Sequence, residues 1–160
     1  MPEIHAHKAE CRLALRSQLV DLALVWPWVD ALAAEFAIPA DSRYAIDLCL
    51  EEALSNIVRH GYRGEPDRAI FIQFIPNGRA GLTFIIEDNA PHFAPPEPRE
   101  QDETSTSGSE LHPAELKPGG QGIRLLRRFA GSLRWEQLPN GNRLTITFPH
   151  PPNSSGIQPH

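Results

Sequence analysis

The sequence predicts an α+β fold, a two-layer α/β sandwich with helices on one face of a mixed, mainly antiparallel sheet. Two observations carry that prediction. Between residues 17 and 60 apolar residues recur at spacings of three and four, the signature of amphipathic helices. Elsewhere, apolar runs of strand length come in adjacent pairs. "AIFIQFIP" precedes "LTFIIED", "SLRWEQL" precedes "RLTITF", and each pair is joined by a turn containing Asn-Gly.

Taken in order, "ECRLALRS" alternates and predicts a strand over Glu10–Arg16. Leu19, Leu22, Trp26, Val29, Ala33 and Phe36 then mark a helical face, with Ser17 as its N-cap. Pro27 lies inside that pattern and is expected to kink the helix or split it. "IPADSRY" is a break, and Asp41 or Ser42 is expected to cap a second helix that runs to about His60 and ends at Gly61. Tyr62 is expected to pack under the following turn. After the first strand pair, Asn89 to Pro118 is rich in Pro, Ser, Thr, Glu and Gly. A stretch of that length inside a compact domain is a functional lid or a disordered segment. "GGQGIRLLRRFAG" reads as a glycine-rich turn opening a helix, and the second strand pair closes the domain. The expected order is β-α-α-β-β-lid-α-β-β. One domain spans residues 10–149, and residues 150–160 have the composition of a disordered tail.

Composition narrows the function classes. The chain has 160 residues, enough for one domain with a real core. Its net charge of -5 argues against a nucleic-acid-binding surface, although Arg124, Arg127 and Arg128 form a local basic cluster. Cys11 and Cys49 fit no metal or redox spacing and are expected to be reduced thiols. No apolar run follows the N-terminal charges, and no stretch reaches the length of a membrane span. A cytoplasmic location is expected. The Trp residues are expected in the core or an interface, and the HxH of His5 and His7 is not taken as a metal site.

Three clusters of residues point to chemistry. In "LCLEEALSNIVRHGY", Glu52, Asn56 and His60 follow one another at intervals of four, on one side of a helix whose other sides are apolar. Such a row is ordinarily a solvated face. Here its flanks are strongly apolar, and Asn56 is a poor helix former in mid-helix. A carboxylate there can act as a general base, and an amide oxygen suits magnesium. Second, "IIEDNAPHF" runs two strand residues into Glu87 and Asp88 before the chain turns. A carboxylate there either forms the turn or accepts a hydrogen bond from the amino group of a base. Third, Gly119, Gly120 and Gly122 precede a helix start, where backbone amides favour phosphate, with Lys117 beside them. Each cluster is weak alone.

Together and in this order, the three resemble the anti-sigma factor serine/threonine kinases, a branch of the ATPase superfamily that includes histidine kinases and gyrase. "EEALSNIVRH" is similar to that superfamily's N box, "EDNAPHFAP" to its first glycine box and "GGQGIRLLRRFAGSLRWEQ" to its second. The likeness spans roughly Cys11 to Phe148. It implies ATP and Mg2+ as cofactors. Glu52 falls at the catalytic base, Asn56 at the magnesium ligand and Asp88 at the adenine-binding Asp. Nucleotide contacts are implied for Asn56, His60, Asp88, Ala90, Lys117, Gly119, Gly120, Gly122 and Ile123. Ala90 replaces the Gly of the usual Asp-x-Gly, Ala94 replaces an Asp, and His92 stands where Pro is frequent. The resemblance also implies phosphorylation of an anti-anti-sigma partner of the sulfate-transporter-and-anti-sigma (STAS) type, sequestration of a sigma factor or comparable regulator, and a homodimer with the N-terminal strand as candidate edge. The alternative reading is a nucleotide-binding partner-switch adaptor without kinase activity.

Overall fold

A computed structural model describes residues 11–76, 81–91 and 128–149 of the chain. Five strands, β1 (Arg12–Arg16), β2 (Ala69–Pro76), β3 (Leu82–Asp88), β4 (Ser132–Leu138) and β5 (Gly141–Phe148), form one sheet in the order β1-β2-β3-β5-β4. Every pairing among them is antiparallel, so the sheet is not mixed as expected but antiparallel throughout its described strands. β1 and β4 are its edges. Three helices lie between β1 and β2: α1 (Leu19–Leu22), α2 (Val25–Glu35) and α3 (Ala40–Asn56), the last continuing into a π-helical turn at Ile57–Gly61. The fold is α+β, as the sequence predicts.

Period-two alternation decides what each strand gives the core. Ile70, Ile72 and Phe74 of β2, Leu82, Phe84 and Ile86 of β3, and Leu144, Ile146 and Phe148 of β5 are all buried. They meet Val25, Trp28, Val29 and Leu32 of α2 and Ile46, Leu50, Ala53 and Leu54 of α3 in one apolar cluster. Aromatic rings bridge the two layers. Trp28 meets Phe84 edge-on at 6.1 Å, and Phe36 meets Phe74 at 5.1 Å. Arg43 joins the helices to each other, pairing with Asp30 of α2 and lying 3.8 Å from Asp47 on its own helix. Cys49 is buried in this core, and burial pushes its thiol up to about 12. A thiol held neutral that way is inert, which agrees with the expectation of reduced cysteines.

The helical region departs from the sequence reading in three places. The first helix does split, but at Ala23–Leu24, so Pro27 sits in the first turn of α2, where its missing N–H costs little. The expected face still meets the core, with Val29 buried and Leu22, Trp26, Ala33 and Phe36 packed against the apolar cluster, while Val25, Trp28 and Leu32 join Val29 as the buried residues of α2. Neither expected side-chain cap forms. The N-cap positions are Gln18 and Pro39, without side-chain bonds, in place of Ser17 and of Asp41 or Ser42. Finally, α3 stops being an α-helix at Asn56, four residues before His60.

Ser17 has a different task. It is 3% exposed. Its Oγ donates to the Glu65 carbonyl at 2.7 Å and accepts from the Arg68 N–H at 3.0 Å. It therefore binds the end of β1 to the loop that leads into β2. Ser17→Ala leaves both backbone groups short of a partner. It should lower stability by about 2 kcal/mol, roughly 5 °C in thermal midpoint for a domain of this size. An unchanged midpoint would show that water replaces the hydroxyl without cost.

Candidate functional site

The site is built at the end of β3. Alternation sends Glu87 and Asp88 to opposite faces of the sheet, although they are neighbours in sequence. Glu87 lies on the outer face, where its Oε1 accepts from the Nε of Arg143 at 2.8 Å, across the β3–β5 pairing. Asp88 continues the core row of Phe84 and Ile86 and is 3% exposed. It faces Ile70 of β2 on one side and Asn142 of β5 on the other.

A carboxylate at the end of an apolar row needs donors. Asp88 Oδ1 has two. The Ala90 N–H donates at 2.9 Å and the Asn142 Nδ2 group at 3.0 Å. Oδ2 has no partner among the described residues. Burial pushes the Asp88 carboxyl above the ordinary carboxylate value, while the bonds from Asn142 and Ala90 pull the other way. The result is a carboxylate with one oxygen committed to two donors and the other without a partner among the described residues.

The helix is fixed to the same place. Within the π-helical turn the Tyr62 N–H donates to the Ile57 carbonyl at 2.8 Å, a five-residue closure in place of four. Tyr62 is buried, as expected for a residue under the turn, but it also makes bonds that the sequence does not reveal. Its hydroxyl donates to the Ala69 carbonyl at 2.6 Å and accepts from the Asn89 N–H at 2.8 Å. The end of α3 and the loop after Asp88 thus share one hydroxyl.

Along α3, Glu52 is half-buried and Asn56 is 7% exposed. Asn56 has no hydrogen-bond partner for its carboxamide among the described residues. His60 is exposed and lies in the π-helical turn, whereas Glu52 and Asn56 lie in α3. Ala90 is buried in the apolar cluster, while its N–H serves Asp88. Lys117, Gly119, Gly120, Gly122 and Ile123, with the expected lid, the helix start after it and the tail, lie outside the described residues.

Comparison with known proteins decides the family. The family model of the histidine kinase-like ATPase domain matches residues 15–148. The chain belongs to this family. Among curated relatives, the serine/threonine-protein kinase BtrW of Bordetella bronchiseptica (strain ATCC BAA-588 / NCTC 13252 / RB50) is 28% identical over 132 residues. That match covers 79% of this chain and 84% of BtrW. Among solved structures, the histidine kinase domain of the Erythrobacter litoralis EL346 blue-light activated histidine kinase aligns with a TM-score of 0.49 and 15% identity. It covers 80% of this chain, which spans 60% of that one.

Asn142 and Gly141 beside Asp88, and the two bonds of the Tyr62 hydroxyl, are what the sequence reading did not anticipate. "PNGN" reads as a turn and nothing more. The available signal was that Asn142 stands two before Leu144 in the row Leu144, Ile146, Phe148, so alternation points a polar side chain inward.

The Asp88 geometry gives a test that separates binding from folding. In Asp88→Asn the amide oxygen can accept the same two bonds, leaving an amino group where the free acceptor was. Adenine-nucleotide affinity should fall by about 2 kcal/mol, roughly thirtyfold. Stability should not fall. Because the folded carboxyl is raised, its stabilising contribution is complete only below the unfolded value and is lost as pH rises through the folded value. At pH 7 the variant should therefore melt at or above the wild-type midpoint, and that advantage should vanish as the pH approaches 4. Intact affinity with a lowered midpoint would make Asp88 purely structural.

Proposed function

We propose that the protein is an ATP-binding regulatory serine/threonine kinase of the anti-sigma type. It would phosphorylate a STAS-type anti-anti-sigma partner and sequester a sigma factor or comparable regulator. The observation that carries this reading is the buried Asp88 carboxylate, one oxygen of which has no partner among the described residues, with the next residue, Asn89, tied through Tyr62 to the helix that bears Glu52 and Asn56. Membership of an ATPase family and the likeness to BtrW, whose name is that of a serine/threonine-protein kinase, support it.

The residues present fit Mg-ATP. Asp88 offers an acceptor to the amino group of adenine. Asn56 offers a neutral oxygen from a nearly buried carboxamide, a suitable ligand for a hard cation. Among the described residues no cluster of three His, Cys, Asp or Glu could hold a metal by itself. Magnesium would keep water and substrate phosphates in its shell beside the Asn56 oxygen. Bound Mg-ATP supplies the phosphoryl group and the positive charge that offsets it. Glu52, one helical turn before Asn56, would orient the attacking serine hydroxyl and accept its proton. Asp88 would hold the base end of the nucleotide. Lys117 and Gly119 to Ile123 are proposed to reach the phosphates. Among the described residues no helix is long and apolar enough to cross a membrane. The proposed setting is cytoplasmic, with partners that are proteins rather than nucleic acid, and β1, an edge of the sheet among the described strands, is the proposed edge for a homodimer.

Glu52→Gln tests the chemistry. It keeps the size of the side chain and removes the base. Binding of Mg-ATP should survive within a few-fold, while phosphotransfer to a STAS-domain partner should drop by roughly a hundredfold or more. Transfer at the wild-type rate would exclude Glu52 as the base. A wild-type chain that binds ATP but transfers nothing to any partner would instead be a nucleotide-sensing adaptor.

A further inference from the structure

We propose that Asn142 is the positioning residue that aims the Asp88 carboxylate at the nucleobase and thereby sets the preference for a purine bearing an amino group. This rests on the reading of Asp88 as the base contact. Asn142 is 1% exposed and lies directly opposite Asp88 in the β3–β5 register. Its Nδ2 group donates to Asp88 Oδ1 at 3.0 Å, and lies 3.3 Å from the Ala90 carbonyl and 3.4 Å from that of Pro91. One amide therefore holds both the carboxylate and the backbone of the loop that leaves it. With the Ala90 N–H on the same oxygen, rotation of the carboxylate would break two bonds, so Oδ2 stays directed away from them.

The close approach that makes this reach possible is itself built in. A Cβ on Gly141 would stand 1.8 Å from the Asp88 carbonyl oxygen and 3.0 Å from the Asn89 Cα. Only glycine lets β5 start this near the end of β3. Next in the chain, Asn142 then spans the gap with a flat, two-proton donor. Tyr62 secures the loop independently from the helix side through the Asn89 N–H. Loss of Asn142 should therefore free the carboxylate without releasing the whole loop.

The experiment compares ATP with purine ribonucleoside triphosphate, which lacks the 6-amino group. Calorimetry on wild type should show ATP preferred by roughly tenfold, the value of one directed hydrogen bond. In Asn142→Leu, which keeps the volume and removes the donor, that ratio should fall to within twofold of unity, mainly through weaker ATP binding. Asn142→Ser has a hydroxyl too short to span the gap and should show the same fall, so it decides the matter if the leucine variant does not fold. Variants that retain the tenfold ratio, or that lose affinity for both triphosphates equally, would overturn the positioning role while leaving Asp88 as the base contact. A wild type with no preference would overturn the Asp88 reading as well.

Discussion

A carboxylate on the core side of a sheet is the constraint around which this end of the molecule is arranged. Asp88 continues the row of Phe84 and Ile86, where any ionised group loses its water. It can stay there only with donors, and the donors come from its own loop and from β5. Gly141 lets β5 come close, Asn142 uses that closeness, and Tyr62 holds the following residue. Of these three, Asn142 answers to the carboxylate itself, whereas Gly141 and Tyr62 answer to the backbone of the loop that carries it.

The same constraint accounts for the end of α3. Had the helix continued with four-residue closure past Asn56, Tyr62 would leave it at a different angle. The π-helical turn widens the last winding, and the Tyr62 hydroxyl then reaches both Ala69 and Asn89. A π-helical turn beside a site is a recurrent compromise between helix geometry and side-chain placement. Here it connects Glu52 and Asn56 to Asp88 through one buried phenol. Burial raises the Tyr62 hydroxyl above its usual value, so it stays protonated and can keep donating to Ala69 while accepting from Asn89.

Much of this was legible in the sequence. The apolar run that ends in "IIED" and the periodicity around Glu52 and Asn56 placed the strand and the helix. What was not legible has a common physical origin. Ser17 looks like a cap because caps are a local pattern, yet its partners lie about fifty residues away in the loop before β2. Asn142 looks like a turn residue because Asn next to Gly favours turns, yet the register of β5 against β3 gives it a carboxylate. The π-helical turn leaves no compositional trace, because it is imposed by Tyr62 bonding to β2 and to the loop after β3. Local patterns predicted local structure, and they failed wherever a long-range hydrogen bond outweighed them.

On the proposed reading, this arrangement also divides the labour of the site. ATP and ADP present the same base, so the Asp88–Asn142–Tyr62 assembly supplies affinity without distinguishing one from the other. It has no reason to move and is built accordingly, from buried groups on three elements. Information about the terminal phosphate must enter where the phosphates lie, beside Glu52 and Asn56 and along residues 117–123. Those groups differ in character from the base clamp. Glu52 is half-buried, more open to solvent than the buried groups around Asp88. A switch that reads ATP against ADP needs that asymmetry, a fixed end to hold the ligand and a compliant end to report which ligand it is.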